Sequence, residues 1–318
     1  MRKLKYGIMS ASSISPRFIA AVREANAGEI VAISSRTLEK ARQKADEWGI
    51  ERAYGSHSEL LEDNDINIVY ISSVNSEHYS MAKQALECGK NVICEKPCTT
   101  SSKHTKELFE LARKKGLFFM EAQKMLFLPL ILETAKLLFS GEIGEIQMIE
   151  FSHSFSAGYN NWLFDNSLGG GTLLSSGIYA IQLIVWLFGD IKSIYGTCSK
   201  NKGSAEHQYI LSGETESGVL FSIKNSTSAV LDNYAKIYGT QGRIELPEYW
   251  KARKAVVYSG DKEPEIIEVP CKYELIYEAK HIYECMDKGL LTSPVVTEEI
   301  TVKAIEIIEK IKSDWDKQ

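Results

Sequence analysis

The chain has 318 residues, of which 44% are hydrophobic and 25% are charged, and these values exclude a disordered, collagen-like or coiled-coil chain. The formal net charge is −5 and the basic residues are dispersed, so we expect no nucleic-acid partner. Six cysteines in a chain of this length do not indicate a disulfide framework. The longest nearly apolar run, residues 178–188, is too short to cross a bilayer, and the N-terminus does not resemble a signal peptide. We therefore expect a cytoplasmic protein of about two domains with no membrane partner.

The first 121 residues alternate predicted strands with predicted helices. Ser15 is a predicted N-cap with Pro16 at the first helical position, and Thr37 and Ser56 have the N-cap chemistry of two more helices. Strands that alternate with helices indicate a parallel sheet with right-handed crossovers. Ligands bind such sheets at the carboxyl ends of the strands, so the residues that follow each strand are the candidates for function. The predicted strands are residues 6–9, 29–34, 66–71, 91–94 and 117–120.

The loop after the first strand occupies the place of a glycine-rich dinucleotide fingerprint. Ser10 and Ser12 stand where the first two glycines would be, so the loop alone leaves dinucleotide binding and a plain tight turn equally open. The second strand is followed by Ser35 and Arg36, with no acidic residue between 33 and 37. An arginine there accommodates a 2′-phosphate and favours NADP over NAD, whereas the alternative is a solvated loop arginine.

The sequence Glu95-Lys96-Pro97 ends the fourth predicted strand. A lysine in that position lies in the ligand crevice, where it can hydrogen-bond a carbonyl or hydroxyl oxygen. Burial and an adjacent oxidised nicotinamide would both lower its pKa toward the range useful for proton transfer. Taken alone, the motif is also compatible with an ordinary turn that closes a strand.

The chain changes character after residue 121. A long strand at 146–155 precedes a glycine-rich loop at 169–171 and an apolar helix at 173–188, and from residue 193 the pattern predicts a meander of short strands. Two helices, at about 274–288 and 298–315, close the chain. The predicted fold is therefore α/β: a Rossmann parallel sheet in residues 1–121, and an α+β domain with a large, mostly antiparallel open sheet in residues 122–318.

Two motifs in this register resemble the Gfo/Idh/MocA family of nicotinamide-dependent oxidoreductases: EKP at 95–97 and GGGTLLSSGIYAIQ at 169–182. The resemblance spans essentially the whole chain. It is closest to the dimeric dihydrodiol dehydrogenase-like branch, through MEA at 120–122, SGIY at 176–179 and YEAKHIYEC at 277–285.

The resemblance implies a nicotinamide cofactor and a role for each residue that matches a family position. At the pyrophosphate and adenosine ends of the cofactor, the matched residues are Ser10, Ser12 and Ile14, followed by Ser35 and Arg36. The family's loop beside the cofactor is matched by Ser72, Ser73, Asn75 and His78. At the nicotinamide end the matches are Glu95 and Lys96, with Lys96 on the reacting oxygen, and Tyr179 matches the acid/base.

Three departures from the family pattern affect catalysis and substrate choice. Ser175 stands where the family usually has an aspartate, serines replace the glycines of the first loop, and Lys124 and Leu126 replace a tryptophan and an arginine of the branch. We expect no metal ion. The residues predicted to line a substrate pocket are Lys124, Trp162, Ser175 and Tyr179, with Tyr159, Asn160 and Asn161 beside Trp162.

The sequence thus predicts an NADP(H)-preferring oxidoreductase, with NAD(H) as the other cofactor to consider. Its substrate would be a small molecule that carries a hydroxyl or carbonyl group: a sugar, a polyol, a dihydrodiol or a similar compound. The alternative that Ser175 favours is a catalytically silent dinucleotide-binding sensor, and a third is an α/β protein without a cofactor. An open sheet must cover its apolar face, so we also expect a homodimer through the C-terminal sheet.

Overall fold

The computed structural model describes residues 3–156, 158 and 162–317. Two compact units divide the chain: Met1–Lys124 with Tyr273–Val302, and Met125–Lys272 with Lys303–Gln318. The predicted boundary after residue 121 is close to this division. The segment Tyr273–Val302, however, was predicted in the second domain and belongs to the first unit.

The first unit contains a six-stranded parallel sheet in the order β3-β2-β1-β4-β5-β6. This arrangement confirms the predicted Rossmann sheet. The sequence prediction missed β3, which has only three residues, all half-buried, and so carries no periodic signal. The elements are β1 Lys5–Met9, α1 Ser15–Glu24, β2 Glu29–Ser34, α2 Leu38–Trp48, β3 Arg52–Tyr54, α3 His57–Glu62, β4 Ile68–Ile71, α4 His78–Glu87, β5 Asn91–Glu95, α5 Ser102–Lys115 and β6 Phe119–Ala122.

Local hydrogen bonds explain where the helices of this unit begin. The Thr37 side chain accepts a hydrogen bond from the Lys40 N–H at 3.3 Å, and the Ser56 side chain accepts one from the Glu59 N–H at 3.2 Å. Both predicted N-caps are confirmed. Ser15 is different: it is the first residue of α1, and its hydroxyl bonds to the preceding loop instead of capping the helix.

A late segment of the chain completes the first unit. Helix α8, Leu275–Asp287, packs on α1. The Phe119 N–H of β6 donates to the Leu291 carbonyl oxygen at 3.0 Å, and the Thr301 hydroxyl donates to the Glu121 carboxylate at 3.2 Å. These contacts account for the placement of residues 273–302 beside the Rossmann sheet.

The second unit contains an eight-stranded sheet in the order β14-β13-β12-β11-β7-β10-β9-β8. The predicted meander is wrong in one respect: β7 lies between β11 and β10 and pairs with β10 in parallel, while the other neighbours are antiparallel. The elements are α6 Pro129–Phe139, β7 Ile146–Ser154, α7 Ile178–Phe188, β8 Ile191–Lys200, β9 Glu206–Thr215, β10 Leu220–Ser226, β11 Tyr234–Gly239, β12 Gly242–Pro247, β13 Lys254–Ser259, β14 Glu265–Glu268 and α9 Glu298–Asp316, which begins in the first unit.

One helical stretch of the second unit, Asn166–Phe188, is long and apolar enough by composition to cross a membrane, and 83% of its apolar window is buried inside the protein. It is longer than the predicted apolar run because its first part is built of short helical turns. Nearly every residue of α7 is buried, as expected for a helix that is apolar on all sides. Packing within the unit therefore accounts for its hydrophobicity.

Candidate active site

The loop from β1 to α1 is organised around the Ser15 hydroxyl. This oxygen lies 3.2 Å from the Ser12 hydroxyl and 3.0 Å from the Ser72 hydroxyl, and it donates to the Ser10 carbonyl oxygen at 3.2 Å. The structure thus brings together Ser10, Ser12 and Ser72, three of the predicted cofactor residues. Ile14 occupies the N-cap position of α1, with no side-chain capping bond.

Ser10 has the left-handed backbone conformation that a glycine would favour. Its φ is +84°, a region that L-residues other than glycine adopt at a cost. Its N–H donates to the Ser34 carbonyl oxygen at 3.2 Å, so main-chain bonds hold the conformation. Serine therefore preserves the backbone path that the glycine-rich fingerprint normally follows.

The end of β2 carries Ser35 and Arg36. The Ser35 N–H donates to the Tyr54 carbonyl oxygen at 3.3 Å, and Ser35 is buried, whereas the Arg36 side chain is exposed. The preceding Ser34 hydroxyl lies 2.8 Å from His57 Nδ1. Arg36 is thus available to an anionic group of a ligand at this edge of the sheet.

His78 connects two loops that end neighbouring strands. Its Nδ1 lies 2.8 Å from the Pro97 carbonyl oxygen, and its Nε2 lies 3.1 Å from the Ser73 carbonyl oxygen. Both partners are acceptors, so both ring nitrogens must donate and the ring is an imidazolium. Although burial opposes its charge, the Cys94 thiolate and the two carbonyls raise the pKa of His78 to about 9. Ser72 and Asn75 of the same loop are buried, and Ser73 is half-buried.

Glu95 and Lys96 end β5 ahead of a cis peptide bond between Lys96 and Pro97. The Tyr70 hydroxyl donates to Glu95 Oε1 at 2.5 Å, which orients the carboxylate. Burial lowers the pKa of Lys96 below its usual value, against the opposing charges of Glu95 and Glu121. Lys96 is therefore a half-buried amine whose proton is easier to remove than that of a surface lysine.

Lys124 lies beyond the end of β6 in a buried ion-pair cluster. Its Nζ is 3.5 Å from Glu274 Oε1, and Glu274 also pairs with Arg17 of α1. Burial, opposed by Glu274 and reinforced by the charges of Arg17 and Lys96, lowers the pKa of Lys124 to about 8. Lys124 is thus a second amine at this edge of the first unit, although Glu274 offsets its charge.

In the second unit, Ser175 belongs to a π-helical turn, Leu173–Gly177, which leads directly into α7. The sequence predicted continuous α-helix here. The Glu206 carboxylate of β9 accepts the Leu173 N–H at 2.9 Å, and this buried bond holds the start of the turn. Single π-helical turns are frequent at functional sites. Tyr179 follows on α7 and is buried.

Sequence reasoning missed a polar contact beside this turn: the Asn225 side-chain amide donates to the Ser176 hydroxyl at 2.6 Å. Trp162 begins a short helical turn and is 36% exposed. Tyr159, Asn160 and Asn161 lie outside the described residues. Within the described part of the chain, no group of three His, Cys, Asp or Glu side chains could hold a metal ion.

The donor set at the sheet edge of the first unit fits a dinucleotide. The hydroxyl groups of Ser12, Ser15 and Ser72 lie at the start of α1, and a helix N-terminus with such donors suits a pyrophosphate. The exposed Arg36 guanidinium suits an additional phosphate. The fold and the donor set thus define a dinucleotide-binding α/β protein with a second, sheet-based unit.

Comparison with known proteins identifies the family. Residues 4–123 match the Gfo/Idh/MocA oxidoreductase family with an NAD-binding Rossmann fold, and residues 131–245 match the C-terminal domain of the same family. The chain belongs to this family, and the predicted resemblance is confirmed.

Relatives of similar length support the assignment over nearly the whole chain. Trans-1,2-dihydrobenzene-1,2-diol dehydrogenase of Bos taurus is 31% identical, over 97% of this chain and 96% of that enzyme, and the Xenopus laevis enzyme is 33% identical over 92% of each. The crystal structure of aldose-aldose oxidoreductase from Caulobacter crescentus, complexed with glycerol, superimposes with a TM-score of 0.90 at 24% identity and covers 99% of this chain and 98% of that chain. It shows the same fold.

Proposed function

We propose that this protein is an NADP(H)-preferring oxidoreductase that interconverts a CH–OH group and a carbonyl group of a sugar, polyol, dihydrodiol or similar small molecule. The observation that carries the proposal is the half-buried amine of Lys96 at the carboxyl end of β5, with a lowered pKa. The diol and aldose oxidoreductases to which the chain is similar are named for substrates of this class.

A bound nicotinamide supplies the redox step by exchanging a hydride with the substrate carbon. Lys96 binds the reacting oxygen, takes the hydroxyl proton when the alcohol is oxidised and returns it when the carbonyl is reduced. Glu95, oriented by Tyr70, keeps a carboxylate beside Lys96. Tyr179 is proposed to pass the proton onward, and Ser175, one helical turn before it, to position a polar group of the substrate.

The test is an absorbance screen of sugars, polyols, dihydrodiols and dicarbonyls for oxidation of NADPH or reduction of NADP. Lys96→Ala should lower turnover by about 10² to 10⁴, the usual contribution of a general acid–base group, while NADP(H) binding is retained. Lys103→Ala is the matched control, since the Lys103 side chain on α5 is exposed. Unchanged turnover in Lys96→Ala would contradict the mechanism.

A second candidate function rests on Ser175. The absence of a carboxylate at this position favours a dinucleotide-binding sensor without turnover. Binding of NADP(H) by calorimetry, without turnover across the whole panel, would support the sensor. Restoring the acid by Ser175→Asp would then be expected to raise turnover if the missing carboxylate is the reason for silence.

The preference for NADP over NAD rests on Arg36, which is exposed at the end of β2 where no acid occupies residues 33–37. Arg36→Ala should raise the Kd for NADP more than the Kd for NAD. Arg42→Ala, on the exposed side of α2, is the control. Equal weakening for both cofactors would refute the 2′-phosphate assignment.

We also propose that the protein is a cytoplasmic homodimer that buries the open face of the eight-stranded sheet. Side chains that alternate with the core residues leave apolar groups exposed on this face, among them Tyr195, Ile210, Leu220 and Met148. Ile210→Lys should shift the mass measured by light scattering from dimer to monomer, whereas Val230→Lys in a loop should not. A wild-type monomer at micromolar concentration would contradict the proposal.

A further inference from the structure

A carboxyl group is completely buried in the first unit without any hydrogen bond. It belongs to Glu278 of α8, which has no exposed surface, and neither of its oxygens has a partner. A buried ionised carboxylate needs a counter-charge or several donors, and without them it takes up a proton. The geometry therefore favours a neutral acid at this position.

The groups that face Glu278 reinforce this conclusion. Burial is the largest cause that raises the pKa of Glu278 well above its usual value; the charges of Glu95 and Glu121 raise it further, and the Lys124 ammonium opposes them. The Tyr70 hydroxyl is already donated to Glu95, and the Glu121 oxygens are occupied by the Cys98 N–H and the Thr301 hydroxyl. The facing groups are Tyr6 of β1, Tyr70 of β4, Glu95 of β5, Glu121 of β6 and Lys124.

The charges of the surrounding cluster balance without Glu278. The cluster contains three cations and three other carboxylates, so its net charge is zero and an ionised Glu278 would add an uncompensated negative charge. A negative charge on Glu278 would raise the pKa of Lys124, and by Coulomb's law it would act on Lys96 in the same direction as Glu95 and Glu121, which already raise the pKa of that amine. The cations are Lys96, Lys124 and Arg17, and the carboxylates are Glu95, Glu121 and Glu274.

We propose that Glu278 is a positioning residue that keeps its proton at neutral pH and, by remaining uncharged behind Glu95, allows Lys96 to exchange the proton of the substrate. This role rests on the proposed function of Lys96. The protonation state of Glu278 itself does not depend on it, so the two can be tested separately.

The first measurement is infrared difference spectroscopy of the 318-residue chain at pH 7. The carbonyl stretch of a protonated carboxylic acid should be present in the wild type and in Glu284→Gln, an exposed position on the same helix, and should be lost in Glu278→Gln. In Glu95→Gln this band should disappear at a lower pH than in the wild type, because one of the facing charges has been removed. Absence of the band from the wild type at pH 7 would overturn the proposal.

The second measurement follows the protonation of Lys96 without turnover. The rate of amine acylation at Lys96, measured by mass spectrometry as a function of pH, should have the same midpoint in Glu278→Gln as in the wild type, because one neutral group replaces another. A lower midpoint in Glu278→Gln would show that Glu278 carries a charge and would overturn the proposal. If the substrate screen fails while both measurements agree with expectation, the proposed reaction is refuted, and the conclusion that Glu278 is protonated at neutral pH is retained.

Discussion

Replacing Ser10 by glycine should stabilise the protein, although it removes a hydroxyl group. Ser10 holds a φ of +84°, which costs an L-residue about 1–2 kcal/mol, and its main-chain N–H and carbonyl oxygen make bonds that glycine can repeat. Glycine adds about 0.4–1 kcal/mol of conformational entropy to the unfolded chain. The difference predicts a gain of about 0.5–1 kcal/mol in the free energy of unfolding.

Urea titration followed by circular dichroism measures this gain, and hydrogen exchange of β1 amides attributes it to the first unit. Ser12→Gly is the matched control, because Ser12 has an ordinary φ and its hydroxyl contacts Ser15 at 3.2 Å. That control should lose about 0.5–1 kcal/mol. A Ser10→Gly variant that is no more stable than Ser12→Gly would refute the strain argument.

Three further predictions concern buried contacts. Gly171→Ala should destabilise the π-helical turn and lower the melting temperature, because a Cβ would lie 2.3 Å from a Glu206 carboxylate oxygen; an unchanged melting temperature would contradict the contact. Burial raises the pKa of Glu278 above its ordinary 4.5, so the free energy of unfolding of the wild type should fall as pH rises above that value. In urea titrations the free energy of unfolding of Glu278→Gln should therefore increase relative to the wild type by up to about 1.4 kcal/mol per pH unit, and parallel pH profiles would refute this. The His78 imidazolium helps to lower the pKa of Cys94 to about 6 against burial, so His78→Gln should move the thiolate absorbance midpoint upward, with Cys88→Ser as a control that leaves it unmoved.

Much of the first unit could be predicted because its signals are local. Thr37 and Ser56 define helix starts through bonds to residues three positions away, and the apolar runs of β1, β2 and β4 need no knowledge of their neighbours. The position of β7 between β10 and β11 could not be predicted, since pairing between strands so far apart in the chain leaves no local pattern.

The candidate-site residues that directly follow strands could be predicted from the sequence. The contacts that set the conformation and pKa of those residues could not. The Ser15 hydroxyl reads as an N-cap in sequence, yet it bonds across the loop. Glu278 did leave a signal that was overlooked: it stands on the apolar face of α8 between Leu275 and Ile282, where a carboxyl group has no solvent to reach.

The order in which the chain is made has a consequence for the first unit. Its six strands lie within residues 5–122 and leave the ribosome before residues 125–272 of the second unit, whereas α8 and the partners of Phe119 and Glu121 follow those residues. During translation the side of α1 that later meets α8 stays uncovered until residues 125–272 of the second unit have been added. A nascent chain arrested after residue 124 should therefore be sensitive to protease, and protection should arrive only when residues 273–302 have emerged.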